Sequence, residues 1–477
     1  MESITYYELK TNIESIQRIE KFRVIENVNE HAYLYLSAVL DPKYKDEYVK
    51  RNTEDKVIEV YTENEDGTKL ILFKGMVRME EARRVQDIYY LELEGISFSF
   101  LTDIKRKSRS YQDTTLTYKE AFKTIMEDYS DWDIQDTASK GSNLSRLYVQ
   151  YEETDWQFLK RLASQFHKGI LPSITYDGIK LVFGTRKGKT LGKIEEFNYY
   201  VSKDVELYQT LKQNRLPELK LADAMIYHIE SRGNYEIGDV VQYQDKELYI
   251  HRKESEMVSG EVRFHYELTS KNGFLQEKIG NSSIVGVSIQ GTVLDRIQDR
   301  IKVQLSIDKE QDKGKAWEFK YTTPYTASGH SGWYCMPEIG DTVNIYFPEK
   351  DEQYAVGLSS IRETVETNDK VTDPNVKYFR TADGKELMMS KDEIRITCCE
   401  SSDSKSRKDI YIRLNQSDGI QIVSAEPIHF YSSKGITMQA EEEVNIIASD
   451  KIKLACKTSE IAMDSNIDIC SSDVRIN

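Results

Sequence analysis

This chain is poor in the residues that most often carry chemistry. Its 477 residues include five cysteines, Cys335, Cys398, Cys399, Cys456 and Cys470. Their number is odd and their spacing fits no zinc pattern, so neither a disulfide framework nor a structural zinc site is expected, and the thiols are read as buried in a reducing compartment. The seven histidines are His31, His167, His228, His251, His265, His330 and His429. None lies in an HExxH motif or a close ligand cluster, so no metal and no cofactor is expected. No run approaches 18 uninterrupted apolar residues, which argues against a membrane-spanning helix. "MESITYYELK" at the amino terminus has no basic segment followed by an apolar one, so a signal peptide is not expected and synthesis in the cytoplasm is. The net charge of -15 comes without a long basic stripe, which argues against nucleic acid as a ligand.

Other chemical patterns fail on inspection. "FGTRKGKT" at 183–190 lacks P-loop spacing and reads as a basic hairpin loop. "SGHSGW" at 328–333 is not a nucleophile elbow and reads as a loop. Nothing in the sequence joins isolated acids such as Asp295 and Glu310 into a glycosidase pair. No catalytic residue is assigned.

What is plentiful is tyrosine, with 31 residues, and aromatics favour strands. Strand-like segments occur at 32–40, 56–63, 69–79 and 88–100, with "DGTK" at 66–69 as a hairpin turn. Two helices interrupt them. Thr117 with Glu120 forms a capping box before Ala121, Phe122, Ile125, Met126 and Tyr129. Thr154 with Gln157 forms another before Leu159, Leu162, Ala163 and Phe166, and His167 closes that stripe in a capping or packing role. Further strands are expected in "LPSITYDGIKLVFG", with "YDGI" as a turn, and in "LYQTLKQNR", "ADAMIYHIES", "VVQYQDKELYIHRK" and "GEVRFHYELTSK".

From 281 to 361, "VGVSIQGTVL", "RIKVQLSI", "AWEFKYT", "DTVNIYF" and "YAVGLSS" suit a small closed barrel. "IGD" with a valine two residues later occurs at Ile237–Val241 and again at Ile339–Val343, each a turn before a strand. The domains expected are therefore 1–280, strands interrupted by two helices, then 281–361, a linker at 362–375, and a tail of short strands at 376–477. "ESSDSKSRKD" at 400–409 reads as an exposed loop within the tail.

The tail carries apolar pairs: Ile420 with Ile422, Ile428 with Phe430, Ile436 with Met438, Val444 with Ile446, Ile452 with Leu454, Ile461 with Met463, Ile467 with Ile469, and Val474 with Ile476. Successive pairs are 8, 8, 8, 8, 9, 6 and 7 residues apart. Residues i and i+2 of a strand face one side, so each pair asks for burial from one short strand. An octad is too short for a closed solenoid rung, and a plain meander would leave the apolar face and the edges exposed. Three chains wound into a triangular prism would cover both. Full burial of an aliphatic side chain is worth roughly 1.5–3 kcal/mol, so these 16 side chains represent a gross gain of order 24–48 kcal/mol per chain, much of it offset by ordering entropy. Glu441–Glu443 is read as a solvated turn. Another β-solenoid and an irregular sandwich or meander are the alternatives.

The sequence resembles the valine–glycine repeat (VgrG-type) spike proteins of type VI secretion and related contractile injection systems, relatives of fused phage baseplate hub and spike proteins. The resemblance rests first on "YEETDWQFLKRLASQFH", at Tyr151, Glu153, Thr154, Asp155, Trp156, Phe158, Arg161 and Leu162. It rests next on "DRIKVQLSIDKE" and "WYCMPEIGDTVNIYFPEKDEQYAVG", at Val303, Trp333, Pro337, Gly340, Val343, Phe347 and Gly357, and then on the octads. The valine–glycine repeats themselves are weak here. The resemblance implies a mainly β homotrimer: a hub over 1–280 of two β-barrel-like domains with small helical insertions, an OB-type barrel over 281–361 as spike base, and over 376–477 a C-terminal intertwined triple-stranded β-helix, or β-prism. It also implies inner-tube and baseplate partners at the hub, a small PAAR-like tip-capping protein, transient contact with a target membrane, and expulsion on contraction. The residues expected to do structural work are the apolar pairs, Thr154, Trp156, Phe158, Leu159 and Leu162 of the hub helix, and Pro337 and Gly340 of the barrel turn. A trimeric receptor-binding fibre or adhesin, and a cell-wall hydrolase on a β-helical stalk, are the alternatives.

Overall fold

The computed structural model describes residues 4–44, 56–186, 188–194, 198–203, 205–214, 220–243, 245–327, 331–362, 373–398 and 410–463. The chain divides into two compact units, Met1–Glu363 and Thr364–Asn477. It is mainly β. Among the described residues no helix is long and apolar enough to cross a membrane.

The first unit is built on a 12-stranded sheet. One half contains Ile16–Asn27, Tyr33–Leu40, Val57–Glu63, Lys69–Val85 and Ile88–Ile96, and the other contains Met225–Ser231, Val240–Tyr243, Lys246–Val258 and Glu261–Thr269. The halves meet along one antiparallel ladder, from Arg23 opposite Glu256 to Asn27 opposite Arg252. Period-two alternation accounts for the packing. Leu34, Leu36, Ala38 and Leu40 are buried from one strand, and Val262, Phe264, Tyr266 and Leu268 from another. Both sets belong to one core.

Turns follow their residue types. Asp66 Oδ1 accepts from the Thr68 amide, and Gly67 has φ +80°. Gly178 has φ +70°, and a Cβ there would run into the Asp131 carbonyl, so glycine is required by space as well as by torsion. The two IGD segments share one geometry. Glu236 and Glu338 donate their amides to Asp239 and Asp341 Oδ2, at 3.0 and 2.8 Å, and Gly238 and Gly340 have φ +90° and +95°.

Between the halves lies an insertion with its own core. Helix α1 (Tyr118–Ile125) starts at the capping box of Thr117 and Glu120, and α2 (Asp155–Ser164) starts at that of Thr154 and Gln157. Helix α2 ends before His167, which takes φ +54°, while its Nδ1 lies 3.0 Å from the Gln276 carbonyl. Three expectations need correction. Ile88–Ile96 stops short of 100, because Phe98–Asp103 turns into a 3₁₀ helix. The strand at 69–79 continues to Val85. "LYQTLKQN" of the segment expected as a strand lies in helix α3 (Val205–Asn214), where apolar residues 205, 208 and 211 recur with helical spacing, and its last residue is outside the described residues.

Ser288–Ile297, Arg300–Leu305, Glu318–Tyr321, Val356–Ile361 and Thr342–Tyr346 close into a five-stranded barrel. Its core includes Val293, Ile301, Val303, Leu305, Phe319, Val343, Ile345 and Phe347. Ile301 packs closely over Gly357, where a Cβ would sit 2.8 Å from Ile301 Cδ1. Leu147 and Val149 also enter this core, while Tyr148 between them packs into the insertion core. Alternation about the start of strand Tyr148–Thr154 thus feeds two cores at once.

In the second unit, Lys377–Arg380, Lys385–Met389, Glu393–Cys398, Ile410–Asn415 and Gly419–Val423 form an antiparallel meander in chain order. No strand is formed from Ser424 to Lys451, and a hairpin follows, Ile452–Cys456 with Ser459–Met463. The expected loop at 400–409 and most of the expected linker lie outside the described residues.

Replacing Gly178 by alanine should lower the stability of the first unit by more than about 1 kcal/mol, since both torsion and space oppose it. Thermal melting of the purified variant reads this as a lowered midpoint.

Candidate functional site: a charge-locked junction and a bare apolar face

The stretch Tyr151–His167 runs from strand into helix α2 and carries two buried charge clusters. Asp155, the first residue of α2, has no exposed surface. Its carboxylate accepts from Lys107 Nζ at 2.6 Å, an Arg109 guanidinium nitrogen at 2.7 Å, Tyr129 Oη at 2.7 Å and Gln150 Nε2 at 2.9 Å. Four donors and the helix N-terminus compensate its desolvation. Burial, with the Asp155 hydrogen bond, pushes the Tyr129 phenol well up.

Arg161, one turn and a half further on, is 1% exposed. Its guanidinium donates to Glu153 at 2.8 and 3.0 Å, to the Val149 carbonyl at 2.9 Å and to Glu352 Oε1 at 2.5 Å. Glu352 lies in the 3₁₀ turn before the last barrel strand, so one side chain ties insertion to barrel. Burial alone would lower the Arg161 pKa, but Glu352 and Glu153 outweigh it and hold it above its ordinary value. Burial raises the Glu153 carboxyl despite Arg161. Other bonds join the same parts. The Ser110 amide and hydroxyl donate to Asp308 at 2.7 and 2.5 Å, and Gln112 donates to the Val303 carbonyl at 3.1 Å and accepts from the Trp317 amide at 3.0 Å.

Trp156, Phe158, Leu159 and Leu162 are buried in the insertion core, and Thr154 caps α2. The Trp156 ring lies 4.3 Å from that of His31. His31 Nδ1 is 2.7 Å from Ser99 Oγ, and its Nε2 is 3.3 Å from Asp103. Sequence spacing did not reveal this Ser–His–Asp line, because its members are 68 and 72 residues from His31. Its geometry suits packing rather than nucleophilic attack. Ser99 is 2% exposed and its hydroxyl also meets Ser97 Oγ at 2.8 Å, leaving no approach for a substrate. Burial would raise the Asp103 carboxyl, but hydrogen bonds from His31 and Thr154 outweigh it and hold it below the usual value. The basic loop at 183–190 engages its own carboxylate, with the Lys189 amide donating to Asp239 at 2.9 Å. Among the described residues no group of three potential metal ligands converges.

In the barrel, Gly340 donates its amide to the Val293 carbonyl at 2.9 Å, and the Pro337 carbonyl accepts from Arg296 at 3.1 Å. Nearby Tyr325, Trp333 and Tyr334 are exposed.

The second unit inverts the usual order of burial. Met389, Ile394, Leu414 and Ile420 form one cross-strand row, and Phe379, Leu387, Ile396, Ile412 and Ile422 form the next. All except half-buried Leu387 are exposed. The opposite, polar face is the better covered one. Thr397 is buried there, Arg413 pairs with Glu393, and the Arg395 guanidinium lies 4.0 Å from the Tyr411 ring centroid. Cys398 is exposed at the end of the apolar rows, and Cys335 is exposed in the barrel loop. The expectation of buried thiols fails at both, in Cys398 because the face that carries it is itself uncovered.

Beyond Val423 the chain bends at 425–426, 433–434, 441–442 and 449–450, once every eight residues. Ser432 Oγ holds one bend, accepting from the Lys434 and Gly435 amides at 3.2 Å. Between the bends lie three of the apolar pairs expected to face the axis of a three-chain prism. Ile428 and Phe430, Ile436 and Met438, and Val444 and Ile446 are all exposed, between 48% and 73%. Ile420, Ile422, Leu454 and Ile461 are exposed as well. For the three pairs between the bends, the chain from Ser424 to Lys451 forms no strand pairing, whereas Ile420, Ile422, Leu454 and Ile461 sit in paired strands whose apolar face is bare. The step of nine in the apolar spacing coincides with a reversal of the chain. Lys457 has φ +53°, and Leu454 faces Ile461 while Ile452 faces Met463 across the hairpin. Ile467, Ile469, Val474 and Ile476 lie outside the described residues.

Solved structures similar to this chain include a secretion-system component and chains of the PdpA–VgrG complex. An E. coli component of the type VI secretion system, itself described as structurally similar to the bacteriophage T4 tail proteins gp27 and gp5, aligns over 74% of this chain and 99% of its own, with TM-score 0.51 and 14% identity. A chain of the half-lidded Francisella PdpA–VgrG complex aligns over 87% of each chain, with TM-score 0.54 and 10% identity. The lidless form of that complex gives 85% and 93% coverage, TM-score 0.53 and 11% identity. The likeness is one of fold. No protein-family model and no curated protein matches the chain.

Two outcomes follow from these charges. Arg161→Met leaves two carboxylates without their cation and should cost about 3–5 kcal/mol, whereas adding Glu153→Gln and Glu352→Gln should recover much of the loss, as read by denaturant titration. The Asp103 carboxyl, held below 3.8, contributes stability at neutral pH that is lost as pH falls through its folded value. Asp103→Asn should therefore be less stable at pH 7 but decline less steeply below about pH 4 than the parent, as read from urea midpoints against pH.

Proposed function

We propose that this protein is the trimeric hub and spike of a contractile injection machine, of the VgrG type or its phage-tail relatives. The observation that carries this is the tail from Ser424 to Lys451. It has bends every eighth residue, exposed apolar pairs between them, and no strand pairing within the chain. Apolar faces and unpaired backbone both demand partners, and a partner with the same eight-residue step is another copy of the same chain. Three copies close such a surface around one axis, with the apolar rows inward. In this reading 376–477 is the intertwined β-prism, 281–361 an OB-type spike base, and 1–280 the hub. Phe430, Met438 and Ile446, bare in one copy, then meet their equivalents from the other two.

The similarity of fold to a type VI secretion component over 74% of the chain, and to a chain of the PdpA–VgrG complex over 87% of it, supports the assignment. The role is mechanical: to dock on the inner tube and baseplate through the hub, to carry tip or effector proteins, and to pierce a target membrane. No catalytic step is assigned. The protein is made in the cytoplasm and leaves with the machine on contraction, or rides in a phage or phage-tail-like particle. A PAAR-like protein is the proposed cap.

Light scattering on the purified protein should give a mass three times 55.4 kDa, about 166 kDa. Ile436→Asp combined with Ile452→Asp should abolish the protease resistance of the tail while the first unit stays folded. A monomer with a protease-resistant tail would overturn the assignment.

A further inference from the structure

The bends and the charges of the tail together specify how neighbouring copies are staggered, which goes one step beyond the three-copy reading and rests on it. The octads are 433–440, 441–448 and 449–456, each opening on a bend. Because an octad pairs with no other octad of its own chain, the strand after each bend must lie on the next face of the prism. It also lies one strand spacing further along the axis, about 4.8 Å. On any one face, the strand beside a given octad then belongs to a different copy and is one octad earlier or later. All octads run in the same sense around the axis, so a residue lies beside the one eight positions away in number, on another copy.

That offset matches unlike charges. The first octad carries Lys434, the second Glu441, Glu442 and Glu443, and the third Asp450, Lys451 and Lys453. An eight-residue offset sets Glu443 beside Lys451 and Glu442 beside Lys434. Glu441 falls between Ser433 and Ser449, and Asn445 beside Lys453. The one like pair is Glu442 with Asp450, and Lys434 on the opposite edge offsets it. Pairing equal octads would instead set the Glu441–Glu443 runs side by side, with every carboxylate against its own copy, which is destabilising. Among the described residues, no ion pair within the chain engages Lys434, Glu442, Glu443 or Lys451. The hairpin leaves one edge of Ile452–Cys456 open, since only the other is taken by Ser459–Met463.

We infer that the copies of this chain are locked in a one-octad stagger by ion pairs between Glu443 of one copy and Lys451 of the next, and between Glu442 and Lys434. Adjacent strands at this spacing bring Cα atoms within disulfide range. In a chain whose five cysteines are replaced by alanine, Glu443→Cys with Lys451→Cys should oxidise to a three-chain species on a non-reducing gel, while either substitution alone gives none. A two-chain species from Glu443→Cys alone would overturn the stagger in favour of equal octads. A trimer by light scattering without the double-cysteine link would overturn the stagger and leave the trimer standing, whereas a monomer in the parent protein would overturn both. A second measurement keeps the native cysteines. Glu443→Lys should shorten the survival of the tail under protease and Lys451→Glu should restore it, and failure of restoration also counts against the pairing.

Discussion

Apolar surface and unpaired backbone in the same segment set the terms for this molecule. A sheet face such as Met389–Ile394–Leu414–Ile420 is stable in water only if something covers it, and an extended backbone only if something pairs with it. The second unit has both needs on consecutive stretches of chain. The meander from 377 to 423 satisfies its own backbone and lacks only a cover, whereas the octads after it lack both. The unmet demand for cover and pairing therefore increases along the tail, until the hairpin at 452–463 restores pairing within the chain.

The first unit solves the opposite problem. Its parts are complete in themselves, with three separate cores, and the question is what keeps them in one arrangement. Buried charge does so with directional bonds. Arg161 reaches two carboxylates and a carbonyl at once, and Asp155 gathers four donors. Such clusters contribute less net stability than an apolar equivalent would, yet any displacement that breaks one leaves a charge stranded.

Local chemistry was legible in the sequence. Both capping boxes, the Gly67 and Gly178 turns, the paired IGD turns and the alternating strands depend on residues within a few positions of one another. The tyrosine-rich alternation identified a mainly β chain for the same reason. Contacts made across long loops were not legible. Arg161 and Glu352 are 191 residues apart, and no spacing rule joins them. The motif around Trp156 was visible as a pattern, but its reason, a helix start that buries an aspartate and an arginine, emerges only when Lys107, Arg109, Tyr129 and Glu352 converge on it. Helix α3 was misread because its apolar residues support either period over so short a window. The octads were legible as a period, and the bends of the chain reproduce that period. The sequence reading placed the cover of their apolar pairs between copies, and in the single chain Phe430, Met438 and Ile446 stand exposed.

Strand Tyr148–Thr154 has a mechanical consequence. Leu147 and Val149 are seated in the barrel, Tyr148 in the insertion, and the same strand runs without a break into α2. A thrust on the barrel thus passes through covalent backbone that both bodies grip, not through a flexible tether. To slide one past the other, the side chains seated in both cores would have to be withdrawn together, so the shared strand opposes relative displacement of the two.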